Sequence, residues 1–197
     1  MQQSLLLPLL LAFFSLSLTA QPITHFYRAW TSNSSHVTHD FTNHVVSVVN
    51  GTDTYVAGST LGSSTTYTLI LSKFNARGVL QWSTTFYVNS GGDTYAGAIA
   101  LDPSGNVLVT GSTYNGSTNG YDLYVAKFNS SGTKLWHQLY NGSGNSYDGG
   151  TAVICNSSGS VFVAGGTSVS ATNIDVVTRC YNSSGTTQWT QTYNNAS

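Results

Sequence analysis

The chain has 197 residues, enough for one ordinary domain, and carries Lys+Arg 6 against Asp+Glu 7, a formal net charge of −1. Charged residues make up 7% of it where soluble domains average about 25%, so electrostatic capture of nucleic acid or of an anionic membrane is excluded as a main activity. Hydrophobic content of 40% with 12% aromatics is too high for a disordered chain. In chain order, Leu5 to Phe14 is an apolar run, closed by small residues ending at Ala20. That pattern predicts a signal peptide over 1–20, since the run is shorter than the ~20 apolar residues of a membrane span. Residues 21–197 then form the expected mature, secreted or cell-surface part.

The mature part repeats itself. Thr54-Tyr-Val-Ala-Gly-Ser-Thr60, Val107-Leu-Val-Thr-Gly-Ser-Thr113 and Val161-Phe-Val-Ala-Gly-Gly-Thr167 align, and their glycines, Gly58, Gly111 and Gly165, are 53 and 54 residues apart. A second motif keeps the same period: Lys73 to Trp82, Lys127 to Trp136 and Cys180 to Trp189 each contain Asn-x-x-Gly, starting at Asn75, Asn129 and Asn182. The four tryptophans, Trp30, Trp82, Trp136 and Trp189, stand 52, 54 and 53 residues apart. A period near fifty points to propeller-type arrays rather than helical solenoids.

One unit reads as four strands. Ala98 to Leu101 is a short apolar run, Asp102-Pro-Ser-Gly-Asn106 is a turn, and Val107 to Gly111 is a second strand. A polar loop from Tyr114 to Gly120 leads to a third strand over 122–129, the Asn129-Ser-Ser-Gly132 turn and a fourth strand over 134–140. Four strands joined by short hairpins make one propeller blade. The fold class is therefore all-β, with three blades over approximately 36–87, 90–140 and 145–193, plus a lone outer strand around Trp30. The repeated glycines are expected to permit a turn or a close approach. The tryptophans are expected to cover the joints between blades. A closed propeller needs at least four blades, so the array is expected to be part of a larger propeller. A half-propeller that closes by dimerising is the rival.

The run Gly-Asn-Val-Leu-Val-Thr-Gly-Ser-Thr, followed by Tyr-Asp-Leu-Tyr-Val-Ala-Lys-Phe-Asn-Ser-Ser-Gly-x-x-x-Trp, resembles the bacterial SBBP-type β-propeller repeat family. The stretch from Asp93 to Tyr140 carries the likeness best. The first unit has Thr68 where the second has Asp122, and the third has Thr178-Arg-Cys-Tyr181 where the second has Val-Ala-Lys-Phe. The resemblance implies an extracellular scaffold or binding role, with no catalytic residues assigned to the repeat itself.

Candidate chemistry is thin. His36, His39, Asp40 and His44 are the densest ligand-capable cluster, but no zinc motif matches them, and a polar loop is the expectation. Asp102 to Asn106 lacks the acidic ligands of a calcium loop. No Gly-x-Ser-x-Gly elbow occurs, and the chain has no Glu. Asp93 with Asp148, and Asp122 with Asp175, are read as recurring once per blade, which suits structural positions rather than a catalytic dyad. Cys155 and Cys180 fall on strands separated by another strand, about 9.6 Å apart at ~4.8 Å per step, beyond the ~7 Å reach of a disulfide. Two free, largely buried thiols are expected, and His137 is expected at the surface.

The expected function is a non-enzymatic scaffold or binding module for a protein or a glycan, with no cofactor and no metal. Tyr114, Tyr121 and Tyr147 are the expected contact residues, because aromatic faces and amides bind without charge. The alternative is a fragment of a propeller enzyme, a hydrolase or a quinoprotein-like oxidoreductase, to whose Asn-x-x-Gly-x-x-x-Trp turn this one is similar.

Overall fold

The computed structural model describes residues 46–61, 66–89, 91–170 and 173–194. The expected signal peptide, the strand around Trp30 and the His36–His44 cluster lie outside the described residues. What is described is all-β: twelve strands and no helix.

The strands form three four-stranded antiparallel sheets in chain order. The first holds β1 (Val46–Asn50), β2 (Asp53–Leu61), β3 (Tyr67–Phe74) and β4 (Leu80–Phe86). The second holds β5 (Thr94–Leu101), β6 (Val107–Tyr114), β7 (Tyr121–Phe128) and β8 (Lys134–Tyr140). The third holds β9 (Asp148–Cys155), β10 (Val161–Ser170), β11 (Asn173–Tyr181) and β12 (Thr187–Tyr193). The sheets stack face to face: β5 lies against β1, β2 and β3, and β9 against β5, β6 and β7. This is the blade arrangement of a propeller, without ring closure among the described residues.

Local chemistry sets the hairpins. In five of them a side-chain oxygen at the first turn position accepts two backbone N–H groups. Asn129 Oδ1 takes Ser131 at 3.1 Å and Thr133 at 2.9 Å. Asn75, Asn156, Asn182 and Asp102 repeat the pattern. Each turn then needs a positive φ, met by Gly78, Gly105, Gly132, Gly159 and Gly185. The Asn-x-x-Gly motif is thus a self-contained turn whose amide replaces two ladder bonds.

Two apolar cores lie between the sheets. Tyr55, Leu69 and Leu71 of the first sheet meet Val107, Tyr124 and Phe128 of the second. Leu108, Leu123 and Val125 on the second sheet's opposite face meet Val161, Val177 and Tyr181 of the third. Alternation along β6 and β7 divides their residues between the two cores, so both faces read as apolar.

The repeated tryptophans sit where one sheet meets the turn of the next. The Trp82 ring packs under Gly132, so close that a Cβ there would stand 2.9 Å from Cζ3. Trp136 packs under Gly185 in the same way, 2.7 Å from Cδ2, and its Nε1 donates to the Ser183 carbonyl at 3.1 Å. Trp189 is 40% exposed and shares the outer face of the third sheet with Ile154, Val176 and Tyr193.

Gly111 and Gly165 have a different task from the turn glycines. β5 is bulged between Ala96 and Ala98, and β9 is bulged opposite Ala164 and Gly165. The bulge turns a carbonyl across the second strand. A Cβ at Gly111 would strike the Tyr95 carbonyl, and one at Gly165 the Gly149 carbonyl. The close approach is therefore within a sheet, between its first and second strands, rather than between blades. Gly58 pairs with Ile70.

Candidate functional site

The ends of the sheets differ. At one end lie the Asn-x-x-Gly turns; at the other, the β2–β3, β6–β7 and β10–β11 hairpins meet the links between sheets. This second end is lined by tyrosines. β3 begins with Tyr67, β6 ends with Tyr114 and β7 begins with Tyr121, while Tyr95 is the second residue of β5 and Tyr147 immediately precedes β9.

Their rings form a continuous row across all three sheets. Centroid separations are 5.6 Å for Tyr67–Tyr95, 6.1 Å for Tyr95–Tyr121 and 6.0 Å for Tyr121–Tyr147, with Tyr114 at 5.3 Å from Tyr121. Such spacings are those of attractive, tilted ring pairs. Tyr147 is 47% exposed, and the other four are half-buried. The structure thus brings together Tyr114, Tyr121 and Tyr147. It adds Tyr67 and Tyr95, which sequence reasoning missed. Their signal was available: Tyr67 precedes Tyr121 by 54 residues, one repeat period.

Polar groups fix the row. Asp93 Oδ1 accepts the Tyr67 N–H at 2.8 Å, and Oδ2 accepts the Tyr95 hydroxyl at 3.4 Å. Tyr121 N–H donates to the Ser146 carbonyl at 2.7 Å, drawing the link before β9 against β7. Burial, then the Asp93 carboxylate, pushes the phenols of Tyr95 and Tyr121 above their ordinary range.

Behind the row stand buried carboxylates. Asp148 accepts the Gly142 N–H at 2.7 Å and the Ser168 N–H at 3.0 Å, so both its oxygens hold backbone. Asp122 Oδ2 accepts from Asn115 at 2.6 Å, and Asn115 in turn accepts from Asn89 at 2.6 Å. Asp122 is 2% exposed, and its Oδ1 has no hydrogen-bond partner. Burial raises its pKa against the opposing Asn115 bond, and the Asp148 charge adds to the rise.

The register corrects one equivalence. Asp122 and Asp175 are true counterparts, paired with Thr113 and Thr167. Asp148 also pairs with Thr167, but Thr113 pairs on that side with Thr94, not Asp93. Asp93 stands one residue earlier and so reaches the first sheet, which a strand-internal side chain could not.

At the turn end the chemistry is structural. Lys127 Nζ meets Asp102 Oδ2 at 2.7 Å and the Ser183 carbonyl at 3.2 Å, tying the second sheet to the third. Burial opposes the charge on Asp102, but the Lys127 and Asn106 bonds prevail and hold its carboxyl below the usual range. Lys73 and Asp53 pair at 2.8 Å at the equivalent place in the first sheet.

Cys155 and Cys180 are free thiols. Cys155 pairs across β10 with Val161 and Cys180 with Phe162, adjacent residues whose side chains leave opposite faces. Cys180 is buried, but Cys155 is only half-buried, because it ends its strand. His137 is half-buried rather than at the open surface, its ring 5.5 Å from that of Phe86.

No protein-family model matches the chain, and no curated protein matches it. Among solved structures, a eukaryotic initiation factor aligns at TM-score 0.45 and 9% identity, covering 77% of this chain and 32% of that one. An apocarotenoid oxygenase chimera aligns at TM-score 0.43 and 12% identity, covering 71% and 35%. A Synechocystis apocarotenoid oxygenase variant aligns at TM-score 0.42 and 13% identity, also covering 71% and 35%. The chain spans about a third of the length of each of these structures.

Proposed function

We propose that the chain is a non-enzymatic binding module, secreted or held at a cell surface, that takes a protein or glycan partner on its tyrosine end. The observation that carries this reading is the row of five tyrosines running over three sheets, one of them largely exposed and all anchored by backbone or carboxylate bonds. Phenol rings on rigid strands give contact area at low entropic cost, the property that makes tyrosine common in binding surfaces. Strand ends also position these rings better than loops would.

The test is a binding panel of neutral oligosaccharides and short peptides, read by NMR of ring-labelled tyrosine. Binding that shifts these five rings, and that weakens about tenfold (~1.4 kcal/mol) in Tyr147→Ala and Tyr114→Ala, supports the proposal. Binding that both variants retain in full would overturn it.

A further inference from the structure

We infer that the tyrosine end, read as above to be the binding site, takes the lysine or arginine side chains of a basic protein segment.

Charge is segregated along the sheets. Asp93, Asp122, Asp148 and Asp175 all stand at or beside the first residues of β5, β7, β9 and β11, the strands that start at the tyrosine end. The described cations are elsewhere: Lys73, Lys127 and Arg179 in the far halves of β3, β7 and β11, Arg77 in a turn, and Lys134 at the turn-side start of β8. The tyrosine end therefore combines aromatic faces with carboxylates, and no described Lys or Arg belongs to it.

Elsewhere the chain fills its own ring–cation sites. Lys73 lies 5.4 Å from the Tyr55 centroid, Lys134 4.4 Å from Phe86, and Arg179 4.5 Å from Tyr140 and 5.2 Å from Tyr181. These distances are within the ~6 Å range of cation–π attraction. The five rings of the tyrosine row have no such occupant among the described residues. The one charged group shown to touch them is the Asp93 carboxylate, bonded to Tyr67 and Tyr95.

Asp122 is a second, independent sign. A carboxylate 2% exposed with an oxygen lacking any partner keeps charge that nothing described compensates. A cation docked in front of it would supply that compensation through the low-dielectric gap. A hard metal ion suits the row less well. It asks for 6–8 oxygen ligands, whereas both Asp93 oxygens are engaged and the rest of the row offers ring faces. A neutral glycan would use the rings and leave the carboxylate field unused.

The experiment titrates the full chain with hexalysine, tetramethylammonium and maltohexaose, followed by the ring signals of labelled tyrosine. Hexalysine and tetramethylammonium are expected to shift Tyr67, Tyr95, Tyr121 and Tyr147, and hexalysine binding should weaken with added salt. Asp93→Asn keeps an acceptor for the Tyr67 N–H while removing the charge, and Tyr147→Leu alters an exposed ring. Each should weaken hexalysine by roughly threefold or more, with melting temperatures confirming that both fold. Hexalysine affinity unchanged in both variants overturns the inference. So does maltohexaose moving these rings where hexalysine does not, an outcome that leaves the binding-module reading standing. Rings unmoved by every probe would sink both.

Discussion

Replacing Gly185 with alanine tests the proposition that each tryptophan is seated by the turn of the following sheet. Gly185 has φ +86°, where an L-residue is strained by ~1–2 kcal/mol. Its new Cβ would also stand 2.7 Å from Trp136 Cδ2 and 3.0 Å from Cγ, the rigid root of the indole rather than a flexible tip. Forcing a methyl into such a space costs about 1–3 kcal/mol, so the total expected is ~2–5 kcal/mol. Gly116 is the control, with φ +88° and nothing within 4 Å of the same Cβ position among the described residues. Its alanine variant meets the backbone term alone. Urea unfolding followed by tryptophan emission measures both. At ~2–4 °C per kcal/mol for a chain of this size, Gly185→Ala should melt several degrees below Gly116→Ala. Adding Trp136→Leu to Gly185→Ala should remove most of the excess loss. Equal losses in the two glycine variants, or no rescue, would refute the seating argument.

Asp102→Ala should destabilise by ~3–5 kcal/mol, because it leaves Lys127 buried without its carboxylate. Asp102→Ala with Lys127→Met should recover most of that in the same urea assay. The folded Asp102 carboxyl lies below its unfolded value of about 3.9, so its contribution is present above that pH and is lost as pH falls through the lower folded value. Acid titration of the Asp102→Asn variant should show that this drop is gone. Asp122 has the opposite sign: its folded pKa is raised, so its penalty is absent below the unfolded value and complete above the folded one. Asp122→Asn should therefore stabilise at neutral pH, with the advantage shrinking in acid; a variant less stable than the parent at pH 7 would contradict the assignment. Trp136→Ser should cost far more than Trp189→Ser, whose ring is 40% exposed, and thermal melts decide. Burial raises both thiols, so Cys180 should resist thiol reagents until urea unfolds the chain, while Cys155 reacts sooner.

The blades were legible because their determinants are local. Asn129 bonds to Ser131 and Thr133, within four residues, so the turn is written in one short string. The fourth strand, Lys134–Tyr140, follows from that turn, and its observed limits match the expected 134–140. Repetition did the rest: a glycine or tryptophan that recurs every 53 residues reports a position in a blade. Periodicity misled where the chain slips by one residue. Asp93 and Asp148 are near one period apart, yet the bulge at Gly97 and the differing links place Asp93 outside β5 and Asp148 inside β9.

The tyrosine row was half legible for a related reason. Tyr114, Tyr121 and Tyr147 border polar loops, which marks them as accessible in the string itself. Tyr67 and Tyr95 sit in strand-like sequence, where an aromatic residue ordinarily signals a core position. What turns them into site residues is the stacking of sheets. β5 crosses the face of β1–β3, carrying Tyr95 to within 5.6 Å of Tyr67 across 28 residues of chain. Asp93 is decisive there, because its carboxylate holds the backbone of one sheet and the phenol of another. A repeat can therefore conserve its blade and still build an unrepeated surface. The identical elements fix the framework, and the residues just outside each strand, Asp93 and Tyr147 among them, decide what that framework can hold.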